Sequence, residues 1–191
     1  MQSDNLFTIS REKFSGPLII KKSSFPDHRG SFIESWNKKE FNNLLNENIE
    51  FVQDNHSISR LGVLRGLHYQ LNPHAQGKLV RCIKGKIFDV IVDLRQNSPT
   101  FCEWGGIELS SRNLLQLWIP AGFAHGFLTL TDRAEVIYKT TNFWNKSSER
   151  SLRWDDPKIS INWPLINEEI ILSEKDRNAP LLKSIDKEDL F

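Results

Sequence analysis

The chain has 191 residues, with 25 Lys plus Arg set against 24 Asp plus Glu, for a formal net charge of +1 at pH 7. That length suits a single domain over residues 1–191, whose core needs no disulfide or metal staple. The balanced charge excludes the electrostatic footprint of a nucleic-acid binder, and no window approaches the ~18 consecutive apolar residues of a membrane span.

The stretch Met1 to Ser10 carries Asp4 and has no apolar core of secretory length, so a cytoplasmic protein is expected. A strand is predicted over 17–22. Phe25-Pro26-Asp27-His28-Arg29-Gly30 reads as a loop offering an aromatic ring and a guanidinium, either a plain surface turn or a phosphate-gripping loop. A second strand candidate follows at 30–36. Phe41, Leu44, Leu45 and Ile49 then form an apolar stripe behind Asn37 as N-cap, with Glu40 three positions on, which predicts one helix. Further strands are predicted at 62–70, 77–83, 87–94, 101–109, 114–119, 123–130 and 134–142. Turn signals such as Lys84-Gly85-Lys86 and Asn97-Ser98-Pro99 separate them. Many short, evenly spaced strands indicate a sandwich or barrel. From Ser173 the tail is charged and tolerates helix, until Asn178-Ala179-Pro180 breaks it. Cys82 and Cys102 lack zinc or redox spacing and are expected as buried free thiols.

Two segments carry chemistry. In Leu64-Arg65-Gly66-Leu67-His68-Tyr69-Gln70 an apolar run delivers one cation and one imidazole. An ideal strand would point them to opposite faces, and a bulge at Gly66 would turn both inward. Pro120-Ala121-Gly122-Phe123-Ala124-His125 delivers a second imidazole and resembles the second motif of the cupins, small jelly-roll barrels. Metal-binding cupins carry H-x-H in their first motif. Here the place reads His68-Tyr69-Gln70, and Tyr and Gln are poor metal ligands, so no metal is expected. A two-histidine, one-carboxylate set would have to use His68, His125 and Asp89 or Glu135. His74, in an Asn72-Pro73 turn, is expected to point elsewhere.

Without a metal, the natural work of a buried imidazole is proton transfer, because its unperturbed pKa of ~6.5 keeps it a competent base at neutral pH. It needs an orienting carboxylate. Asp89, Asp93 and Asp176 are all candidates, and the sequence does not choose among them. Ile87 to Leu94 alternates so that Phe88, Val90, Val92 and Leu94 share a core face, while Asp89 and Asp93 share the other, read as a cavity wall. Lys78 sits in apolar strand sequence, either an edge lysine or a cation meeting an anion. Tyr138 reads as a packed strand tyrosine or as a proton donor. Trp144 ends a polar approach, where a ring can stack on a base.

Taken together these runs resemble the dTDP-4-dehydrorhamnose 3,5-epimerase family over about Phe25 to Pro180. The likeness rests on Asp27 to Phe32, Gln53 to Ser57, Leu64 to Gln70, Gln76 to Arg81, Phe88 to Arg95, Pro120 to Phe127, Tyr138 to Thr141, Arg153 to Pro157 and Leu172 to Asp176, in that order. The resemblance implies an all-β, cupin-type jelly roll with a few short peripheral helices. It implies a homodimer in which a strand or loop of one subunit reaches its partner's pocket, and a tail of about 173–191 packing near the site. It further implies a dTDP-linked sugar as substrate and no cofactor, since epimerisation leaves the oxidation state unchanged. His68 would be the base with Asp176 as its partner, Tyr138 the acid on the opposite face, and Lys78 the donor to the 4-keto oxygen. Arg29 and Arg65 would hold the diphosphate. Phe25, Glu34, Gln53, Asn55, His125, Phe143, Trp144 and Lys175 would complete the nucleotide and sugar contacts. Two departures stand out. The family commonly has tyrosines near Phe143-Trp144, so stacking survives but phenolic hydrogen bonds do not. It commonly has glycine at Cys102, a change expected to affect packing only. The alternatives are a mono-epimerase acting at C-3 or C-5 alone and a non-catalytic sugar-nucleotide-binding cupin.

Overall fold

The computed structural model describes Ile9 and residues 13–191; apart from Ile9, the N-terminal stretch read above for a targeting segment lies outside the described residues. In chain order the elements are β1 (Leu18–Lys21), β2 (Phe25–Asp27), β3 (Gly30–Phe32), α1 (Lys38–Leu45), β4 (Gln53–Arg60), β5 (Leu64–Gln70), β6 (Lys78–Lys84), β7 (Lys86–Asp93), β8 (Trp104–Ser110), β9 (Leu115–Ile119), β10 (Phe123–Thr129), β11 (Arg133–Thr140), β12 (Glu149–Ser151) and α2 (Glu174–Arg177). Single 3-10 turns follow at Leu182–Ser184 and Lys187–Asp189.

Two five-stranded antiparallel sheets face each other, ordered β1-β9-β6-β11-β4 and β12-β5-β10-β7-β8. Their inner faces interdigitate. Val80, Cys82, Leu117, Ile119 and Val136 come from the first sheet, and Ile87, Ile91, Ile107, Leu109, Phe123 and Phe127 from the second. Each such side chain contributes ~1.5–3 kcal/mol by leaving water. The outer face of the second sheet is buried as well. Leu67, Tyr69, Phe88, Val90, Val92 and Leu94 pack there under Leu152, Ile159 and Leu182 from the C-terminal segment. β7 is therefore sandwiched on both sides, which is why its sequence carries apolar residues on both faces.

α1 begins where the sequence placed it. The Asn37 side chain accepts from the amides of Lys39 and Glu40, and Asn46 closes the helix in the left-handed conformation. Phe41 is the buried residue of the stripe, edge-on to Trp118 at 5.4 Å between ring centroids. Leu44 is exposed, and Ile49 lies beyond the helix but packs on the same cluster. The predicted strand 30–36 is cut to Gly30–Phe32, and the loop at Phe25 is the first strand of a small separate hairpin, β2–β3. Both of its phenylalanines, Phe25 and Phe32, are solvent-exposed.

Two strands escaped the hydrophobic pattern. β4 reads Gln-Asp-Asn-His-Ser-Ile-Ser-Arg, with half-buried and exposed positions alternating but few apolar residues on either face. β12 is a three-residue polar edge strand. Both border the cavity described below, so their inward side chains are polar because they line a pocket rather than fill a core. Cys102 corrects two expectations. It is only partly buried, and its φ of 67° lies in the left-handed region that favours glycine, so the residue carries a backbone cost as well as a packing change. Cys82 is buried, and both thiols are free. Among the described residues no helix is long and apolar enough to cross a membrane.

Candidate active site

A cavity of about 500 Å³ opens between the two sheets at the end where β4, β5, β6, β10 and β11 converge. The sheet register explains who faces it. On the first sheet, Tyr138 pairs with Val80 of β6 and Asn55 of β4, while Thr140 pairs with Lys78 and Gln53. Tyr138, Lys78, Gln53 and Asn55 therefore share the inner face, two residues apart along each strand. On the second sheet His68 and His125 are direct partners across β5 and β10.

Arg65 joins them because of Gly66. Four residues of β5 from Arg65 to His68 oppose three of β10 from Phe127 to His125, so β5 carries one extra residue. Gly66 has φ 116°, and a Cβ there would come within 2.7 Å of Gly126 Cα and His125 O. Glycine is thus required, and both Arg65 and His68 line the cavity.

On one wall, His68 Nε2 lies 2.5 Å from Asp176 Oδ1. With Nε2 engaged by the carboxylate, the ring's free lone pair belongs to Nδ1. Asp176 is buried and comes from the C-terminal segment. Ile171 bridges to Val63 of the β4–β5 connection, and the Ser173 hydroxyl then caps α2 by accepting from the Asp176 amide. Burial alone would push the Asp176 carboxyl up, but the hydrogen bond and charge of His68, the Ser173 hydroxyl and the Gly66 amide outweigh it and hold it below the usual range. Asp176 is therefore the carboxylate that orients His68. Asp93, an alternative in the sequence, sits elsewhere, tied to Arg95 at 2.7 Å and to the hydroxyls of Ser98 and Thr100. Asp89 is the partner of the other imidazole: His125 Nε2 lies 2.8 Å from its Oδ1.

The opposing wall carries Lys78 and Tyr138. Lys78 is 7% exposed and donates to the carbonyl oxygen of His68 at 3.2 Å. Desolvation pushes its pKa down to about 8, opposed by the charges of Asp89 and Glu149. The Tyr138 phenol is pushed up, first by burial, with Arg65 opposing and Glu149 reinforcing, so it keeps its proton at neutral pH. A base and a protonated acid therefore line one cavity from opposite sheets, with an ammonium group beside the acid.

The mouth is organised by Gln53, Trp144 and Glu149. Gln53 accepts from the Trp144 amide at 3.0 Å and donates to Asn55 at 2.9 Å. Arg65 is steadied by the Ser59 hydroxyl and the Ile58 carbonyl, at 3.0 and 3.2 Å. Glu149 binds Lys175 at 2.7 Å and accepts from Trp144, which together hold it below the usual range although burial opposes them.

Of the residues singled out in the sequence, the cavity gathers His68, Tyr138, Asp176, Lys78, Gln53, Asn55, Arg65, His125 and Trp144. Five lie outside it. Phe25 and Arg29 sit on the exposed hairpin, where Arg29 is held by Asp27 at 2.6 Å. Glu34 accepts from the Asn37 amide group. The Phe143 side chain is exposed, and Lys175 stands behind Glu149. Gln70, Gln76, Ser57 and Glu149 line the cavity without having been singled out. Ser57 and Glu149 lie on the two polar strands, whose lack of apolar alternation was itself the available signal. Among the described residues no group of three or more His, Cys, Asp and Glu is arranged to hold a metal ion. Glu135, a ligand in the alternative set, instead meets His56, Lys84 and Arg133.

Residues 11–184 match the family model described as dTDP-4-dehydrorhamnose 3,5-epimerase. The chain is 56% identical over 162 residues to the dTDP-4-dehydrorhamnose 3,5-epimerase of Shigella flexneri, covering 85% of this chain and 88% of that one. Among solved structures it is similar to the dTDP-6-deoxy-D-glucose-3,5-epimerase of Legionella pneumophila Philadelphia 1, in complex with dTDP-4-keto-L-rhamnose. The TM-score is 0.88, the identity 48%, and the coverage 91% of this chain and 92% of that one. A 3'-monoepimerase from Streptomyces bikiniensis in complex with dTDP-quinovose shares the fold at TM-score 0.84 and 32% identity, covering 88% and 85% of the two chains.

Proposed function

The chain belongs to the dTDP-4-dehydrorhamnose 3,5-epimerase family, and from that premise we propose that it is an isomerase inverting C-3 and C-5 of dTDP-4-dehydro-6-deoxy-D-glucose. The observation that carries the residue roles is the placement of the His68–Asp176 pair and of Tyr138 with Lys78 on facing walls of one cavity.

The chemistry follows from the substrate. A 4-keto sugar has acidic C–H bonds on both sides of its carbonyl, and removing either proton puts negative charge on the 4-oxygen. His68 takes that proton, and Asp176 stabilises the imidazolium that forms. A positioned base contributes roughly 10²–10⁴ in rate. Lys78 meets the enolate oxygen, and a donor so placed is worth ~10²–10³. Inversion requires the new proton to arrive from the other face, which the Tyr138 phenol supplies. Between the two inversions His68 must shed its proton and the Tyr138 phenolate regain one. Half-exposed His68 and the open mouth allow both exchanges with water.

The nucleotide anchors the ring for this exchange. Arg65 suits the diphosphate through its fork of donors, and Trp144 suits the base as a stacking face. The exposed hairpin β2–β3 carries Phe25 and Arg29 away from the cavity of its own chain. We read it as serving the cavity of a second copy, in a homodimer of the reducing cytoplasm.

The test is incubation of the protein with dTDP-4-keto-6-deoxyglucose in deuterium oxide, with the product read by NMR. Deuterium at both C-3 and C-5 with inversion at each is expected. Label and inversion at one carbon alone would make the chain a mono-epimerase like the one from Streptomyces bikiniensis, and no label at either would make it a binding protein.

A further inference from the structure

Asp89 is wholly buried, and only one of its two carboxylate oxygens is bound. Oδ1 meets His125 Nε2 at 2.8 Å, and Oδ2 is buried with no hydrogen-bond partner. An unsatisfied buried carboxylate oxygen costs free energy, so its retention calls for a role. Asp89 lies on β7 as the cross-strand partner of Phe127 on β10; Phe127 and His125 both line the cavity, and Lys78 lines it from the facing sheet. No ion pair closes between Asp89 and Lys78.

We propose that Asp89 is a positioning residue of this site: from behind His125 its buried carboxylate keeps Lys78 on the facing sheet in the ammonium form while fixing His125 in place. The role assigned to Lys78 rests on the function proposed above. An oxyanion donor must be charged to serve, yet a dry wall discharges amines. A direct ion pair would hold the ammonium but also neutralise it and block its approach to substrate. A carboxylate set back behind a histidine supplies the compensating charge and leaves the ammonium free.

The charged and titratable groups around Lys78 narrow the choice. Arg65 and His68 from β5, His125 from β10, Tyr138 from β11, Glu149 from β12 and Asp176 from α2 line the cavity with it, Lys175 stands behind Glu149 and Asp89 behind His125, while β9 carries no titratable side chain. Asp176 is committed to His68. Glu149 is committed to Lys175, whose positive charge opposes that of Lys78. Among the described residues, Asp89 Oδ2 is the one buried carboxylate oxygen without a hydrogen-bond partner.

The test reads Lys78 directly and needs no substrate, so it is separable from the deuterium experiment. Lysine is labelled with ¹³C and ¹⁵N, the Lys78 signal is assigned by its loss in Lys78→Arg, and its side chain is titrated by NMR. In the unaltered protein it should titrate at about 8. In Asp89→Asn the midpoint should fall by roughly one pH unit or more, a tenfold shift in proton affinity. The basic limb of kcat should move with it. Asp89→Glu and His125→Gln keep the charge and should leave the midpoint near that of the unaltered protein. An unmoved midpoint in Asp89→Asn overturns the proposal, as does an equal fall in His125→Gln. Should Asp89→Asn fail to fold, the Lys78→Met/Asp89→Asn double variant is the deciding protein. With no ammonium to compensate it should fold, and its failure to do so would make Asp89 a purely structural residue.

Discussion

Replacing Asp176 by Asn isolates the worth of a single negative charge. The amide is nearly isosteric, and its oxygen can still accept from His68 Nε2, so the tautomer with a free Nδ1 survives. What disappears is the attraction between carboxylate and imidazolium once the proton has been taken. For unit charges ~4 Å apart at an effective dielectric near 20, that attraction is about 4 kcal/mol. The His68 side chain is 31% exposed, so water screens part of it. The residual amide bond recovers about 1 kcal/mol more. The expected loss is about 2–3 kcal/mol in the transition state, or ~30–150-fold in kcat. KM should stay near that of the unaltered protein, because the carboxylate acts on the imidazole. The assay is single-turnover deuterium uptake at C-3 and C-5, with circular dichroism to establish that the fold is intact. Uptake within threefold of the unaltered rate at both carbons would refute the reasoning, since it would mean that the imidazolium needs no counter-charge.

Lys78→Met should lose activity and gain stability. The folded-state pKa of Lys78 lies below its ordinary value, so its burial costs stability below about pH 8, a cost relieved as pH rises toward ~10.4. Removing the ammonium should therefore raise thermal stability at pH 7 by ~1–3 kcal/mol, and a lower melting temperature would contradict the assigned burial cost. In the unaltered enzyme, activity should decline as pH climbs past about 8, where the ammonium is lost. Tyr138→Phe should allow proton abstraction but impair inversion, most strongly at C-5, as NMR of partially exchanged substrate will report; unchanged inversion at both centres removes Tyr138 from the mechanism. Cys102→Gly should stabilise the protein by about 0.5–1 kcal/mol, since glycine adopts the left-handed conformation without a Cβ clash, offset in part by its greater unfolded-state freedom. A denaturant midpoint below that of the unaltered chain would show that the thiol's packing outweighs the backbone.

The strands that build the core were legible because their side chains alternate between water and hydrocarbon, or lie in hydrocarbon on both faces, as in β7. β4 and β12 were not, because a cavity imposes polar residues where a core would impose Val or Ile. The same physics hid Ser57 and Glu149. The bulge at Gly66 was legible, since Arg65 and His68 are three residues apart and one glycine separates them from sharing a face. The choice of Asp176 over Asp89 and Asp93 was not available from periodicity. It depends on where a tail docks after two sheets have closed, and only the family resemblance pointed to it. The β7 face carrying Asp89 and Asp93 was read as one wall, yet a strand rises ~3.3 Å per residue. Four residues are enough to separate Asp89, which stands behind His125, from Asp93, which is held in the Arg95 turn, and neither lines the cavity itself.

The imidazole and the carboxylate of the His68–Asp176 pair are 108 positions apart along the polypeptide, and the second arrives on a segment laid against an already paired β5. Both sheets can be complete while that segment is still undocked. A refolding chain should thus pass through a state with full β circular dichroism and an idle imidazole. Recovery of turnover should lag recovery of sheet, by however long the last stretch takes to find its berth.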